Sequence, residues 1–453
     1  MTTDHSMGFL LEKIEKKPYY ETFDVAKRRK IYLIRKSYDE NVKLPENLIV
    51  ETAKQEAIAV DSWKKAKAVK NFLMFRFELE KLVELKKRAA EILMDVKRTS
   101  TTYDALIDIY EPKMTAEKLT GIFDNLRKSL VLIIAKCQNR KEHLEMSLLQ
   151  RRVPIDVQRK ISNILVNTID YDVESEMAGG RIDETEHPFT TGYYDDVRIT
   201  THYYEDNFAS AIFSILHEGG HAIYEQGLRQ EWMFQPIGST CSLGFHESQS
   251  RLFENIIGRS KEFWTYFLPK LKELTGTTFT DVTLDDFVSA INQVKLSKIR
   301  IEADEATYCL HIIIRFEIER DLMAGKVTVA ELPQIWNQKY KDYLGLEIKN
   351  DSEGLMQDTH WAKGLIGYFP TYALGNIYSG QIITKMQKDL SGWRKKVSEG
   401  NLHTIKQWLI ENVYTYGNLY NPEDLIKKIT MEEVNITHYL DYLNEKLSRI
   451  YKF

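Results

Sequence analysis

Cysteine is scarce in this chain. Cys137, Cys241 and Cys309 are the only three in 453 residues, and they are scattered without a C-x-x-C pair. That excludes a disulfide framework and a cysteine-based metal knuckle, and it reads as buried thiols in a reducing compartment. Cys241 has no spacing that asks for a metal. Long apolar runs are missing too. The best, Leu130-Val-Leu-Ile-Ile-Ala135, falls far short of the roughly 18 residues a membrane span requires. Met1 to Lys17 mixes polar and charged residues and lacks the apolar core of a signal peptide. The expected location is the cytoplasm, with no membrane partner. Net charge is nearly absent as well: 62 basic residues interleave with 66 acidic ones for a formal −4. Such a balance leaves no electrostatic footprint for nucleic acid. Ten prolines and few glycine-rich turns disfavour a many-stranded β architecture.

What is present is helical periodicity, enough for one mostly helical domain over residues 1–453. No internal repeat or low-complexity linker marks a boundary inside it. From Tyr20 to Arg98 apolar residues recur at spacings of three and four, with Asp61-Ser62 as an opening cap. Helices are expected from Thr115 to Glu145, with an incomplete capping box, and from Pro154 to Tyr171. Asp172 to Tyr204 changes to turn residues followed by β-branched and aromatic alternation, which predicts a small sheet. Lys295 to Ala324 reads as a long amphipathic helix carrying Arg300. Gly380 to Phe453 returns to plain amphipathic helix.

The stretch with chemistry is Phe208 to Gly227, centred on His217-Glu-Gly-Gly-His221. Phe208, Ile212, Ile215, Leu216 and Ile223 form a helical stripe, Asp206 or Asn207 is the candidate N-cap, and Gly227 the stop. Residues four apart share a face, so His217 and His221 can hold one zinc ion with Glu218 beside it as a base. Gly219 and Gly220 cost about 1 kcal/mol each in a helix interior, which suits a site where a neighbouring backbone comes close. Gly227 stands six after His221, which excludes a third histidine of the metzincin type. A carboxylate from the next helix is expected instead, Glu247 or Glu254, with Glu225 as a rival. Ser242 is the candidate cap of that helix.

Several motifs occur together and in order: Asp196-Val-Arg-Ile-Thr200, His217-Glu-Gly-Gly-His221, His246-Glu-Ser-Gln249, Ile299-Arg-Ile-Glu-Ala-Asp304, Gly354-Leu-Met-Gln-Asp-Thr-His-Trp361 and Tyr368-Phe-Pro-Thr-Tyr372. In these the sequence resembles the carboxypeptidase Taq (thermostable carboxypeptidase 1) family of zinc metallocarboxypeptidases. The resemblance implies His217, His221 and Glu247 as zinc ligands, Glu218 as general base, and His246 beside the site. It also implies a mainly α fold like that of neurolysin and angiotensin-converting enzyme, with two halves flanking a deep groove and a small sheet beside the metal helix. A homodimer with one zinc per subunit, replaceable by cobalt, is implied as well.

The expected reaction is removal of C-terminal residues from peptides with a free terminal carboxylate, with broad specificity. His360 and Tyr372, or Tyr368, are candidate donors to the oxyanion. The terminal carboxylate calls for an arginine fork, Arg300 ahead of Arg198, which has Asp196 nearby to pair with. Gln357 and Asp358 are expected to orient ligand imidazoles. An endopeptidase on the same scaffold and a catalytically silent zinc protein are the competing classes, and Glu218 argues against the second.

Overall fold

The structure, a computed structural model, describes residues 3–140 and 147–453. Among them helices dominate and one three-stranded sheet interrupts, the mainly α architecture expected. None of the described helices is long and apolar enough to cross a membrane. The chain divides into two compact units, Met1–Leu132 with Lys295–Ala373 and Ile133–Val294 with Leu374–Phe453. In chain order come α1 (His5–Glu15), α2 (Val25–Lys43), α3 (Glu46–Ala68), α4 (Leu73–Lys97), α5 (Thr102–Tyr110) and α6 (Ala116–Gln138). Then follow α7 (Ile155–Thr168), the strands β1 (Gly180–Glu184), β2 (Thr190–Tyr193) and β3 (Asp196–Thr201), and α8 (Phe208–Gln226), α9 (Leu243–Arg251), α10 (Lys261–Thr275) and α11 (Leu284–Ile291). The rest are α12 (Glu305–Met323), α13 (Leu332–Leu344), α14 (Pro370–Asp389), α15 (Trp393–Ser398), α16 (His403–Asn412), α17 (Pro422–Thr430) and α18 (Thr437–Tyr451).

In the first unit two boundaries differ from expectation. Asp61 and Ser62 do not open a helix but lie inside α3. There Asp61 pairs with Lys65 one turn on at 2.6 Å, and the Ser62 hydroxyl donates to the Met74 carbonyl at 3.0 Å. The break falls between Ala68 and Leu73, where Lys70 adopts a left-handed φ of 58° and Asp351 accepts from the Phe72 N–H at 2.9 Å. An acid next to a serine resembles a cap in sequence, while the carboxylate at the real break comes from far along the chain. The stretch from Lys295 likewise becomes helical late. Asp304 caps α12 by accepting from the Ala306 and Thr307 N–H groups at 2.9 and 3.1 Å, so Arg300–Glu302 forms a separate 3-10 turn. Nearly every residue of α12 is buried, so it is no amphipathic surface helix. The expected helix from Thr115 ends at Gln138, and residues 141–146 of that stretch lie outside the described residues.

In the second unit the expected sheet forms in the order β1-β3-β2, β1 parallel and β2 antiparallel to β3. Val197 and Ile199 of β3 are buried while Asp196 and Arg198 are exposed, the period-two pattern of a half-covered strand. β2 and β3 both pack on α8. Asn207 occupies the N-cap position of α8, yet its side chain makes no capping hydrogen bond. Asp206 lies one residue earlier.

Candidate metal centre

Ile212, Ile215, Leu216 and Ile223 of α8 are buried, and that stripe fixes how the helix is turned. His217 and His221 then stand together on one half-buried face, their rings 4.9 Å apart between centroids. The third donor comes from α9. Ser242 caps this helix as expected, its hydroxyl accepting from the Phe245 N–H at 3.0 Å. Glu247 turns its Oε2 toward the two imidazoles, 3.9 Å from His217 Nε2 and 3.6 Å from His221 Nε2. One donor atom from each residue lies within 4.8 Å of the others. Two glycines make this approach possible. A Cβ on Gly220 would meet the Gln249 carbonyl oxygen at 2.6 Å, and a Cβ on Gly375 of α14 would meet Glu247 Cγ at 2.6 Å.

Each donor is held from behind. His217 Nδ1 bonds Glu254 Oε2 at 2.9 Å, and Glu254 sits on a π turn, Leu252–Ile257, that directly continues α9. His221 Nδ1 bonds His246 Nδ1 at 2.5 Å, and His246 Nε2 in turn meets Glu225 at 2.9 Å. Arg251 Nε donates to Glu247 Oε1 at 2.7 Å and its Nη1 to Glu254 at 3.3 Å. Glu254 and Glu225, the rivals for third ligand, thus stand on the far side of the imidazoles, where they fix ring orientation. Burial pushes His221 well below its ordinary pKa, which keeps it neutral.

Glu218 is buried on the same helix. Thr190 of β2 donates its hydroxyl to Glu218 Oε2 at 2.6 Å. Burial raises the Glu218 carboxyl above the usual range, against the opposing pull of His217 and of this hydrogen bond. Arg198 lies on β3, where its Nε and Nη2 donate to the two oxygens of Asp196 at 2.7 and 2.8 Å.

The remaining expected site residues gather in the first unit. Asp358 lies between two guanidinium groups, with Arg300 Nε at 2.9 Å and Arg315 Nε at 2.7 Å. Burial works against its charge, but the two arginines hold its carboxyl well below the ordinary range. Arg300 also donates from Nη1 to the Tyr308 hydroxyl at 3.0 Å. Gln357 accepts from the Arg300 N–H at 2.8 Å and donates to the Lys298 carbonyl at 3.0 Å. Gln357 thus bonds Arg300 and Asp358 bonds both Arg300 and Arg315, while the carboxylates in contact with the imidazoles of the metal cluster are Glu254 and, through His246, Glu225. His360 Nε2 lies 3.2 Å from the Tyr372 hydroxyl, and the His360 ring stands 5.4 Å from that of Tyr368. Burial lowers His360 to about 3, so it is neutral at neutral pH.

The family model of the carboxypeptidase Taq (M32) metallopeptidases matches residues 1–447. The chain belongs to the M32 family. Carboxypeptidase 1 of Bacillus subtilis strain 168 is 41 % identical over 436 residues, 95 % of this chain and 86 % of that one. Thermostable carboxypeptidase 1 of Thermus thermophilus is 38 % identical over 458 residues, 99 % of this chain and 88 % of that one. The crystal structure of the M32 carboxypeptidase from Deinococcus radiodurans R1 matches with a TM-score of 0.95 at 31 % identity, covering all of this chain and 89 % of that one. Membership makes this protein a metallocarboxypeptidase, an enzyme of peptides that works with a divalent metal.

The donors of this M32 chain fit such an ion. Two imidazole nitrogens and one carboxylate oxygen, braced behind and buried or half-buried, form the ligand set that suits zinc. Thr190, Arg251 and Gly375 were not legible in the sequence as residues beside the metal cluster. A threonine on a short strand and a glycine in a helix carry no signal by themselves. Glu254 was visible as a candidate, but for a ligand's role.

Proposed function

We propose that this M32 enzyme hydrolyses the last peptide bond of peptides carrying a free C-terminal carboxylate, using one zinc ion per chain held by His217, His221 and Glu247. The convergence of these three donors within 4.8 Å carries the reading. Zinc bound there would act as a Lewis acid and lower the pKa of water to roughly 7. Glu218 takes a proton from the attacking water as its oxygen bonds the carbonyl carbon. When the C–N bond breaks, Glu218 delivers that proton to the leaving amine. A carboxyl raised by burial suits both halves of this exchange. Thr190 holds the carboxylate in one rotamer throughout.

His360 and Tyr372, with Tyr368 as the alternative, are assigned to donate to the oxyanion, and Tyr368 also to contact substrate. The neutral state of His360 suits a hydrogen-bond donor. Arg300 is assigned to the terminal carboxylate ahead of Arg198. Each guanidinium already meets a carboxylate, Asp358 for Arg300 and Asp196 for Arg198, but Arg300 with Arg315 outnumbers its acid two to one. Broad acceptance of C-terminal side chains, a homodimer, replacement of zinc by cobalt, and a cytoplasmic location complete the reading. Three scattered, buried cysteines suit a reducing compartment.

The test is mass spectrometry of one short peptide supplied as free acid and as C-terminal amide, with and without a chelator. Stepwise loss of single residues from the free acid alone, abolished by chelator, is expected. Internal cuts in both peptides would make the protein an endopeptidase, and no cleavage after zinc is restored would leave a silent scaffold.

A further inference from the structure

Glu319 of α12 is fully buried in the first unit and has no part in the reaction described above. Its carboxylate accepts three hydrogen bonds. Oε1 takes the Trp361 indole N–H at 2.8 Å, and Oε2 takes the Gly367 N–H at 2.8 Å and the Tyr103 hydroxyl of α5 at 2.9 Å. Trp361 follows His360 directly, and Gly367 directly precedes Tyr368. One carboxylate therefore ties both ends of the segment whose flanks carry these two rings, 5.4 Å apart. Gly367 has a φ of 88°, and a Cβ there would strike the Ile107 backbone nitrogen at 2.9 Å, so the segment is pressed on α5.

We infer that Glu319 is a positioning residue of this carboxypeptidase, its carboxylate clasping residues 361–367 so that His360 and Tyr368 stand in place for the substrate. The inference rests on the role proposed above for these two rings.

Among the described residues no cation forms a salt bridge with this carboxylate. Tyr103 and Tyr110 approach from α5, Arg315 acts on it from its own helix, and Arg320 and Asp104 act on Tyr103. The clasped segment itself brings His360 and Lys363. Burial outweighs the three hydrogen bonds and the influence of Arg315, and pushes Glu319 up to about 7. An ionised Glu319 satisfies all three donors. A protonated one must donate, and of the three only the Tyr103 hydroxyl can turn to accept, because an indole N–H and a backbone N–H cannot. The bonds to Trp361 and Gly367 persist in either form, but they are charge-assisted only when Glu319 is ionised, so the clasp is tightest on the alkaline side.

The experiment pairs NMR of the Trp361 indole N–H, in protein labelled at its tryptophan indole nitrogens, with kcat and KM for a free-acid peptide as functions of pH, both on the zinc-loaded enzyme. In the wild type the indole resonance and a rising limb of kcat should share one midpoint near 7. Tyr103→Phe removes a donor to the ionised form and should move both midpoints up by about one pH unit. Glu319→Gln should abolish both transitions and lower kcat with KM little changed. A kcat limb that stays put in Tyr103→Phe while the indole midpoint moves would overturn the inference, and so would an indole that does not titrate. A limb set by Glu218 would not respond to Tyr103. Failure of the carboxypeptidase reading would show earlier and separately, as a zinc-loaded wild type that leaves free-acid peptides intact.

Discussion

The two clusters of this M32 carboxypeptidase handle charge in opposite ways. In the second unit His217, His221 and Glu247 turn their donor atoms toward one another, and every compensating group stands behind them: Glu254, His246 with Glu225, and Arg251. In the first unit Asp358 is flanked by Arg300 and Arg315, so the carboxylate's charge is compensated inside the cluster itself. The difference teaches what each is built to meet. Donors braced from behind and turned toward one another suit an incoming cation. A carboxylate shared between two guanidinium groups is a rigid mount, with net positive charge left to face an anion.

The sharpest break of this comparison is Glu218→Gln. We expect kcat to fall by about 10²–10⁴-fold while zinc content, measured by atomic absorption, stays at the wild-type level. Asp358→Asn should act on the other cluster, destabilising the fold by about 3–5 kcal/mol in denaturant titrations, because two buried arginines lose their counter-charge. Zinc affinity should not change in that variant. The sign of its pH dependence follows from a depressed pKa. The stability Asp358 contributes is present above the ordinary carboxylate range and is lost as pH falls toward the folded pKa, and the asparagine variant should lack that acid-side loss. Glu254→Gln should lower zinc affinity by about 10–100-fold by loosening the His217 ring, and should also destabilise the fold, because Arg251 and Arg259 lose a shared counter-charge. The smallest effect belongs to Thr190→Val, about a tenfold loss in kcat from one hydrogen bond to a charged carboxylate.

How far these clusters were legible in the sequence follows from how local their determinants are. The metal helix, its paired histidines and the cap at Ser242 depend on residues within a few positions of one another, and all stand where the spacing puts them. The sheet was readable for the same reason. What the sequence withheld depends on partners far along the chain. Asp351 sits at the break before α4, Thr190 meets Glu218 only because β2 packs on α8, and Gly375 admits Glu247 from a helix more than a hundred residues later. The start of α12 is a different failure. Asp304 is an ordinary cap, but the charged run before it has helical spacing, and periodicity alone ran the helix through it.

The most direct measurement is calorimetric titration of zinc into metal-stripped wild type and Glu247→Ala. We expect one ion per chain in the wild type and a loss of affinity beyond about 100-fold in the variant, larger than removal of a bracing group gives. Equal affinity in the two proteins would contradict the assignment of Glu247 as the third ligand, and with it the site on which the proposed reaction rests.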